Sequence, residues 1–331
     1  MSTNKKKLLL SSSLAPGARA LLDERGDIEQ VYFPHLLPND EFLELVKQEA
    51  PVSGWTLGAT KIDATVMDAA QALDVTARIG VGYDAVDVTE HTKRRIPVMI
   101  AGTANSPSVA EQAMFMMMWL AKRSSELDQV VHGGKWLDRM QWMPLDLFEK
   151  TVVIVGFGRI GSRTAKRCDA MDMTVLIYDP YVDDSDIKAA GYEPANDLDQ
   201  ALERADFVSI HCPKTPETVG MFNKDRLARM KPTSYLVNTA RGGIIDEADL
   251  HAALINKGIA GAGLDVFAQE PVDLNNPLLQ LDNVITSPHM AGVTREALER
   301  MGINAVKNII SVLDGKPNLE NTVNREIYDD N

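Results

Sequence analysis

The sequence predicts an α/β protein built on two parallel, doubly wound sheets, and three observations carry that expectation. Apolar β-branched runs alternate with helical patterns at short spacing along most of the chain, the signature of parallel strands covered by helices on both faces. One such run, Val152-Val153-Ile154-Val155, flows directly into Gly156-Phe157-Gly158-Arg159-Ile160-Gly161 and then into a helical pattern. The length of 331 residues, 45% of them hydrophobic, is enough for about two domains with cores of their own.

Each glycine of G-x-G-x-x-G has its own use. Gly156 makes the tight turn, Gly158 lets backbone approach a pyrophosphate, and Gly161 lets helix and strand pack closely. Unpaired N–H groups at the helix start then hold the phosphates. Three glycines at that spacing occur in many loops, so the context gives the motif its weight. The next apolar run, Met173 to Tyr178, ends in Asp179, 18 residues past Gly161, close to where a carboxylate meets the adenosine ribose hydroxyls. A carboxylate there repels a 2'-phosphate, so NAD is expected rather than NADP. A surface aspartate that merely caps a strand is the plainer alternative.

Composition narrows the partners. With 34 basic against 47 acidic residues the net charge is -13, which disfavours tracking along a phosphate backbone, and no basic stripe is interleaved with aromatics. Nucleic acid is not an expected partner. Cys168 and Cys212 lie far apart with no CxxC or Cys/His spacing, so neither a disulfide framework nor a metal site is implied, and a reducing cytoplasm fits. Lys5-Lys6-Lys7 before Leu8-Leu9-Leu10 has the look of a signal peptide, but three leucines are too short an apolar core. A first strand is expected instead.

From Leu8 the pattern gives a strand (Leu8 to Leu10), a helix (Ala18 to Arg25), a strand (Ile28 to Phe33), a helix (Asp40 to Glu49), a strand (Trp55 to Ala59), a helix (Asp63 to Leu73) and a strand (Val75 to Ile79). The last runs into Gly80-Val81-Gly82-Tyr83-Asp84. This first unit has no phosphate-binding turn, so its glycine-rich strand end suggests another kind of site, where Val81 and Gly82 N–H groups can hold an anion. A plain tight turn has the same sequence. Pro97 to Ile100 is a further short strand, and Gly102 to Ser106 a crossing to the second domain.

A long helix follows. Ser108-Val109-Ala110-Glu111 has the pattern of a capping box, and Ala113 to Ala121 is apolar on every face, which requires burial all round. Glu111 and Gln112 interrupt it, and it is shorter than the about 20 apolar residues that span a bilayer, so no membrane is expected. Burial between domains and against a second subunit, in a homodimer, suits its methionines; a deep monomeric core would give the same pattern. After a loop from His132 to Met143 the second α/β unit begins at Thr151 and continues to about Ser287. The final helix, Arg295 to Leu313, is expected to return to the first domain, and Pro317 to Asn331 to have no partner strand.

In open parallel sheets ligands bind beyond the carboxyl ends of the strands. The second unit's strand exits carry Gly156, Asp179, His211-Cys212-Pro213, Thr239-Ala240-Arg241, Asp265 and Ser287-Pro288-His289, with Glu270 a short loop beyond Asp265. Arg241, Glu270 and His289 make chemical sense together. Arginine grips a carboxylate bidentately and polarises an adjacent carbonyl. Histidine trades a proton near neutral pH, and a neighbouring carboxylate orients its ring. Singly each has a plain use: a surface ion pair, a helix-capping acid, a satisfied core histidine.

These residues also carry a family likeness. Over nearly its whole length the chain resembles the D-isomer-specific 2-hydroxyacid dehydrogenases, in ARIGVGYDAVD from Ala77, NSPSVAE from Asn105, VGFGRIG from Val155, HCPKTPETVGMF from His211, VNTARGGIIDEADL from Val237, AGLDVFAQEP from Ala262 and SPHMAG from Ser287. The resemblance implies two Rossmann-like domains: a discontinuous, flavodoxin-like substrate domain from residues 1–101 and 295–331, and an NAD-binding domain over 102–294. It implies catalysis by Arg241, Glu270 and His289, with a 2-keto acid held by Arg241, His289 and the Val81 and Gly82 amides. It places Gly156, Gly158, Arg159, Ile160, Gly161, Asp179, His211, Pro213, Thr218, Thr239, Ala240, Arg241, Asp265, His289 and Gly292 around the cofactor, Asp265 near the nicotinamide carboxamide and Pro213 near the adenine.

Departures bear on the substrate. Family members acting on 3-phosphoglycerate often carry Arg-Ser before A-T-K; here Leu57-Gly58 precede Ala59-Thr60-Lys61, so an unphosphorylated acid such as glyoxylate or hydroxypyruvate is favoured. The chain ends at Asn331 without room for the regulatory domain of some relatives, so feedback by serine is not expected. The crossing loop, Ala101 to Asn105, lacks the T-P-G of many relatives, and Glu270 stands where formate dehydrogenases have glutamine. One of Trp136, Arg139, Trp142 and Met143 is expected to shape the substrate side-chain pocket; packing under the loop is the alternative. A D-3-phosphoglycerate dehydrogenase-like enzyme and an NAD-sensing, co-repressor-like regulator stay open as other readings.

Overall fold

Leu8, Leu9 and Leu10 are wholly buried because the strand that carries them is covered on both faces. The structure, a computed structural model, describes residues 5–329. The chain divides into two units, Met1–Asn105 with Val293–Asn331, and Ser106–Gly292. The first contains β1 (Lys6–Ser11), α1 (Pro16–Asp23), β2 (Ile28–Phe33), α2 (Asn39–Glu49), β3 (Val52–Leu57), α3 (Ala64–Ala70), β4 (Gln71–Arg78), α4 (Val88–Lys93) and β5 (Val98–Met99). Its strands lie parallel in the order β2-β1-β3-β4-β5. Leu8 and Leu10 pack on Ala18 and Leu22 of α1 and on residues of the C-terminal helix, whereas Leu9 joins Phe42, Val46, Trp55 and Val66 on the opposite face. Burial on both faces is why β1 carries three consecutive leucines instead of an alternating pattern.

The second unit contains α5 (Ser106–Ala121), α6 (Ser124–His132), a 3-10 turn (Trp136–Gln141), β6 (Thr151–Val155), α7 (Gly161–Asp169), β7 (Thr174–Tyr178), α8 (Asp184–Ala189), β8 (Glu193–Pro194), α9 (Leu198–Arg204), β9 (Phe207–Ile210), α10 (Lys224–Leu227), β10 (Tyr235–Asn238), α11 (Glu247–Ile255), β11 (Gly261–Leu264) and β12 (Val284–Thr286). The order β12-β11-β10-β9-β6-β7-β8 reverses between β6 and β9, and every pairing is parallel. This is the doubly wound topology that opens a crevice at the carboxyl ends of β6 and β9. Val153 and Val155 point to a core shared with α9 and α11, while Val152 and Ile154 face Ala113, Met117 and Leu120 of α5 and Ala165 and Cys168 of α7. Both cysteines are free. Among the described residues no helix is long and apolar enough to cross a membrane.

Several expectations need correction. Helix α5 begins at Ser106, so Ser108 lies in its first turn and not ahead of it; Pro107 sits in that turn, where its missing N–H does no harm. The helix is not buried all round in the single chain, since Phe115 and Met118 are exposed. Much of the stretch after it is helical: α6 follows Arg123, whose φ of 50° turns the chain, and the 3-10 turn occupies the middle of the expected loop. Strand β4 starts at Gln71, directly after α3, because Gln71 adopts φ 62° and reverses direction without a loop.

The C-terminal segment does find a partner. After α12 (Arg295–Leu313), which returns to pack on α1 and β4, Thr322 bridges Met99 in antiparallel sense. Val323 N donates to Val98 O (2.8 Å), Ile100 N donates to Asn321 O (2.9 Å), and Asn324 Oδ1 accepts from Val98 N (2.9 Å). A two-residue edge strand exposes unpaired backbone, and this segment covers it. No alternating run announces such a contact.

A buried polar chain crosses the first unit. Trp55 Nε1 donates to Thr76 Oγ1 (2.8 Å), Thr76 Oγ1 lies 2.9 Å from His91 Nε2, and His91 Nδ1 lies 2.7 Å from Asp87 O. A carbonyl only accepts, so Nδ1 carries a proton, and the neutral ring, with Nε2 accepting from the threonine hydroxyl, satisfies both contacts. Burial lowers the pKa of His91 below its ordinary 6.5. A base with a lowered folded pKa contributes stability that is present above the unfolded value and lost as pH falls toward the folded one. The unfolding free energy from urea titration is expected to fall between about pH 7.5 and about pH 5.5, by at most about 1.4 kcal/mol per pH unit below the unfolded pKa for this group. Urea titrations at both pH values check it: His91→Gln should be less stable at neutral pH and less sensitive to acid.

Candidate active site

The three glycines after β6 differ in what holds them. Gly156 has φ 98°, and a Cβ there would stand 2.7 Å from Cys212 N. A Cβ on Gly161 would collide with the carbonyl oxygen of Gly156. At Gly158 a Cβ would meet nothing within 4 Å, so nothing in the protein demands glycine there. What it leaves is open space against exposed backbone at the start of α7, whose cap residue Ile160 supplies no side-chain acceptor. That is the fit for a pyrophosphate. Arg159 is exposed on the same turn. Asp179, at the exit of β7, accepts from Phe157 N (2.7 Å) and Tyr181 N (2.9 Å), which fixes its carboxylate beside the glycine turn.

At the exit of β9, His211 N donates to Val155 O (2.7 Å), Nε2 lies 2.9 Å from Ser209 Oγ, and Nδ1 is enclosed without a partner. Burial pushes the imidazole down to about 3 and the Cys212 thiol up to about 11, so both are neutral at physiological pH. Pro213 is exposed. The Thr218 hydroxyl donates to Pro213 O (2.7 Å) and accepts from Thr215 N (2.7 Å), so it organises this turn from within.

The exits of β10, β11 and β12 converge. Asn238 ends β10 buried; its Oδ1 accepts from Ala240 N (3.0 Å) and its Nδ2 donates to Arg241 O (2.9 Å), setting the turn Thr239-Ala240-Arg241. Thr239 Oγ1 is enclosed without a partner, and Arg241 Nη1 donates to Ala240 O (2.8 Å). Asp265, only 1% exposed, holds the loop that carries His289. Its carboxylate accepts from the Ser287 hydroxyl, from Met290 N (2.9 Å) and from Ala291 N (2.9 Å), while its carbonyl accepts from His289 N (2.7 Å). Gly292 follows directly. His289 itself takes φ 55°, a conformation uncommon for a side-chain-bearing residue. Burial raises the Asp265 pKa above the ordinary carboxylate value, and the hydrogen bonds from Ser287, Ala291 and Met290 pull against that rise.

Glu270 completes the group. Oε1 accepts from Phe267 N (3.0 Å) and Oε2 lies 2.7 Å from His289 Nδ1. The loop between is held from α11, where Glu247 accepts from Ala268 N (2.5 Å) and from Asn276 Nδ2 (2.8 Å). A carboxylate on Nδ1 leaves Nε2 as the nitrogen that can exchange a proton with a ligand. In the first unit, Arg78 Nε donates to Gly82 O (3.0 Å) and steadies the turn after β4, and among the described residues Val81 and Gly82 N–H groups meet no acceptor. Trp142 lies under the Arg123 guanidinium (4.8 Å) and Trp136 beside Arg139 (5.6 Å), contacts within the chain itself.

Asn238 and Glu247 were not singled out in the sequence, and Ser287 was named there only as a strand exit. The available signal was positional: a polar residue ending or following a buried strand must find partners for its side chain.

With a glycine turn, a histidine-carboxylate pair and an arginine on the strand exits of a doubly wound sheet, the fold and site define a dinucleotide-binding α/β unit. Residues 114–291 match the family model described as D-isomer specific 2-hydroxyacid dehydrogenase, NAD binding domain. The chain is 43% identical to a glyoxylate reductase of Thermofilum pendens over 262 residues, 77% of this chain and 76% of that one. It is 40% identical to a D-3-phosphoglycerate dehydrogenase of Archaeoglobus fulgidus over 281 residues, 85% of this chain. It spans just over half the length of such phosphoglycerate dehydrogenases, 52% in that case. Among solved structures it is similar to D-lactate dehydrogenase from Aquifex aeolicus complexed with NAD and lactic acid, with a TM-score of 0.80, 29% identity and coverage of 96% of this chain and 98% of that one. The chain belongs to the D-isomer-specific 2-hydroxyacid dehydrogenase family.

If Asp265 is what holds the His289 loop, Asp265→Ala should speed hydrogen exchange at Met290 and Ala291 N–H by about 10-fold or more, the worth of one lost hydrogen bond, and leave the β6 and β9 amides protected. Unchanged exchange at both would show that other contacts fix the loop.

Proposed function

We propose that the chain is an NAD-dependent oxidoreductase that interconverts a small 2-keto acid and its D-2-hydroxy acid, with an unphosphorylated acid such as glyoxylate or hydroxypyruvate as substrate. The observation that carries this reading is the 2.7 Å pair of His289 Nδ1 and Glu270 on the same sheet edge as the glycine turn. It supplies a proton-exchanging group beside a place for a dinucleotide, in a chain whose family uses both.

Gly156, Gly158 and Gly161 with the start of α7 would hold the pyrophosphate, and Asp179 the adenosine ribose. His211, Pro213, Thr218, Thr239, Ala240, Asp265 and Gly292 would surround the rest. The chemistry that the nicotinamide supplies when bound is transfer of a hydride to or from C2. Arg241 grips the substrate carboxylate and draws charge toward the carbonyl oxygen, in company with the Val81 and Gly82 N–H groups. As C2 is reduced its oxygen becomes an alkoxide, and His289 Nε2 gives it a proton. Glu270 keeps the ring in place and balances the imidazolium that donates it. In the oxidising direction the neutral imidazole takes the hydroxyl proton. One proton and one hydride are thus consumed per keto acid reduced.

Phosphoglycerate is the competing substrate, favoured by the names of several relatives at 38–40% identity. Leu57 and Gly58 count against it, since neither offers a cation to a phosphate.

We further propose a cytoplasmic homodimer. Phe115 and Met118 of α5, Val131 of α6, and Trp136, Leu137 and Met140 of the 3-10 turn are exposed, Leu137 by 86%. Apolar side chains of this number on neighbouring elements are what a second subunit would cover. Sedimentation should give twice the chain mass, and Leu137→Glu with Phe115→Glu should halve it; a monomeric wild type would contradict the reading.

Nicotinamide absorbance, followed with glyoxylate, hydroxypyruvate, pyruvate, phosphohydroxypyruvate and longer 2-keto acids, tests the activity. Rapid NADH-dependent turnover of an unphosphorylated acid is expected. His289→Ala should lower kcat by about 100-fold or more while dinucleotide binding stays within a few-fold. Failure of the wild type on every acid would sink the proposal.

A further inference from the structure

In the first unit the carboxyl ends of β2, β1, β3 and β4 share one rim. Ser11 is in register with Phe33, Leu10 with Thr56, and Leu57 with Arg78. Beyond the strands, Ser12 N donates to Phe33 O (2.8 Å) and Ile79 N to Leu57 O (2.8 Å). His35, two residues past β2, does not stay above its own strand. Its Nδ1 lies 3.2 Å from Ser11 Oγ, which is itself 2.8 Å from Ser13 Oγ. Its Cε1 stands 2.7 Å from where a Cβ on Gly58 would be. The imidazole therefore crosses β1 and rests over the first residue beyond β3. Gly58 has no left-handed φ; the ring is what excludes a side chain there.

The other nitrogen, Nε2, has no hydrogen bond among the described residues, and the residue is exposed. One strand further along the rim lies the Gly80-Val81-Gly82 turn. Neighbouring strands are about 4.8 Å apart, which puts the ring over Gly58 within roughly 5–10 Å of the Val81 and Gly82 N–H groups. A three-carbon acid with a terminal hydroxyl is about 4 Å long, from bonds of about 1.5 Å, and a hydrogen bond of about 2.8 Å at each end extends its reach to roughly 10 Å. A two-carbon acid has no C3 hydroxyl to offer at that end.

We propose that His35 is a specificity-determining residue whose Nε2 hydrogen-bonds a hydroxyl on C3 of the substrate, so that the enzyme prefers a 3-hydroxy-2-keto acid to one that ends at C2 or continues as an apolar chain. This rests on the dehydrogenase reading, with the Val81 and Gly82 amides on the carboxylate. Ser11 holds Nδ1 and so fixes the direction of Nε2, and Ser13 adds a second hydroxyl beside it. A phosphate at C3 would call for cations. Arg19, the cation at the exit of β1, spends Nε on Leu14 O (2.9 Å) and Nη2 on Ser12 O (2.8 Å), and its guanidinium lies over the Tyr32 ring at 4.8 Å.

The test compares glyoxylate with hydroxypyruvate in the wild type, His35→Ala, His35→Gln and Gly58→Ala, the last of which displaces the ring without removing it. His35→Ala and Gly58→Ala should each lower kcat/KM for hydroxypyruvate by about 10-fold, the worth of one hydrogen bond, with glyoxylate unchanged, and His35→Gln should recover part of the loss. Because His35 is exposed its replacement leaves the core intact. Equal losses on both acids, no loss on either, or faster wild-type turnover of phosphohydroxypyruvate than of hydroxypyruvate would each overturn the assignment. Failure of the wild type on every 2-keto acid would sink the dehydrogenase reading itself, a result separate from loss of the difference between the two acids.

Discussion

The buried carboxylate of Asp265 is the constraint on which the candidate site depends. Taking a carboxylate out of water costs several kcal/mol unless donors replace the lost hydration. Here the donors are the Ser287 hydroxyl and two consecutive backbone N–H groups, Met290 and Ala291, and they come from the loop that carries His289. The exchange works in both directions. The carboxylate is tolerable because the loop surrounds it, and the loop has one shape because the carboxylate demands it. That shape includes φ 55° at His289. A strained backbone of this kind costs about 1–3 kcal/mol and persists only where its surroundings over-determine it, which three donors and the 2.7 Å bond from His289 N to Asp265 O achieve.

A similar economy runs along the whole sheet edge. Several strand exits carry a side chain that binds the backbone of its own turn. Asn238 ties the turn after β10 while Arg241 extends from it. Asp179 holds the glycine turn through Phe157 N. Thr218 holds its loop through Thr215 and Pro213. The glycine turn is not uniform: protein packing forbids a side chain at Gly156 and Gly161, whereas a Cβ at Gly158 would face open space.

Much of this was legible in the sequence because it is local. The leucines of β1, the β-branched run of β6 and the residues following each strand lie within a few positions of one another, and parallel topology places all strand exits on one side. Ile28–Phe33 and Arg295–Leu313 were delimited to the residue by such patterns. What escaped depends on partners distant in sequence. The cover on β5 joins Val98 to Asn324, and nothing in Leu319 to Asn324 alternates like a strand. The start of α5 was misplaced because Ser108 matches a capping pattern that Ser106 and Pro107 pre-empt. The bridge from His35 across β1 to Gly58 has no pattern at all, because it is made by one side chain leaning over a neighbour.

Three histidines show how placement, and not residue type, decides what a side chain can do. His91 is enclosed in a chain of hydrogen bonds that its neutral form satisfies, and its ring serves the first unit's core. His211 is enclosed beside Ser209, and burial holds it neutral far below physiological pH. Neither can exchange a proton with a ligand without first losing its surroundings. His289 has half of its side chain exposed, with a carboxylate on one nitrogen and none of that enclosure on the other. The proposed role of His289 as an acid needs both a fixed ring and a reachable proton. Asp265 provides the first by holding the backbone, Glu270 by holding the ring, and the position of the loop beyond β12 provides the second.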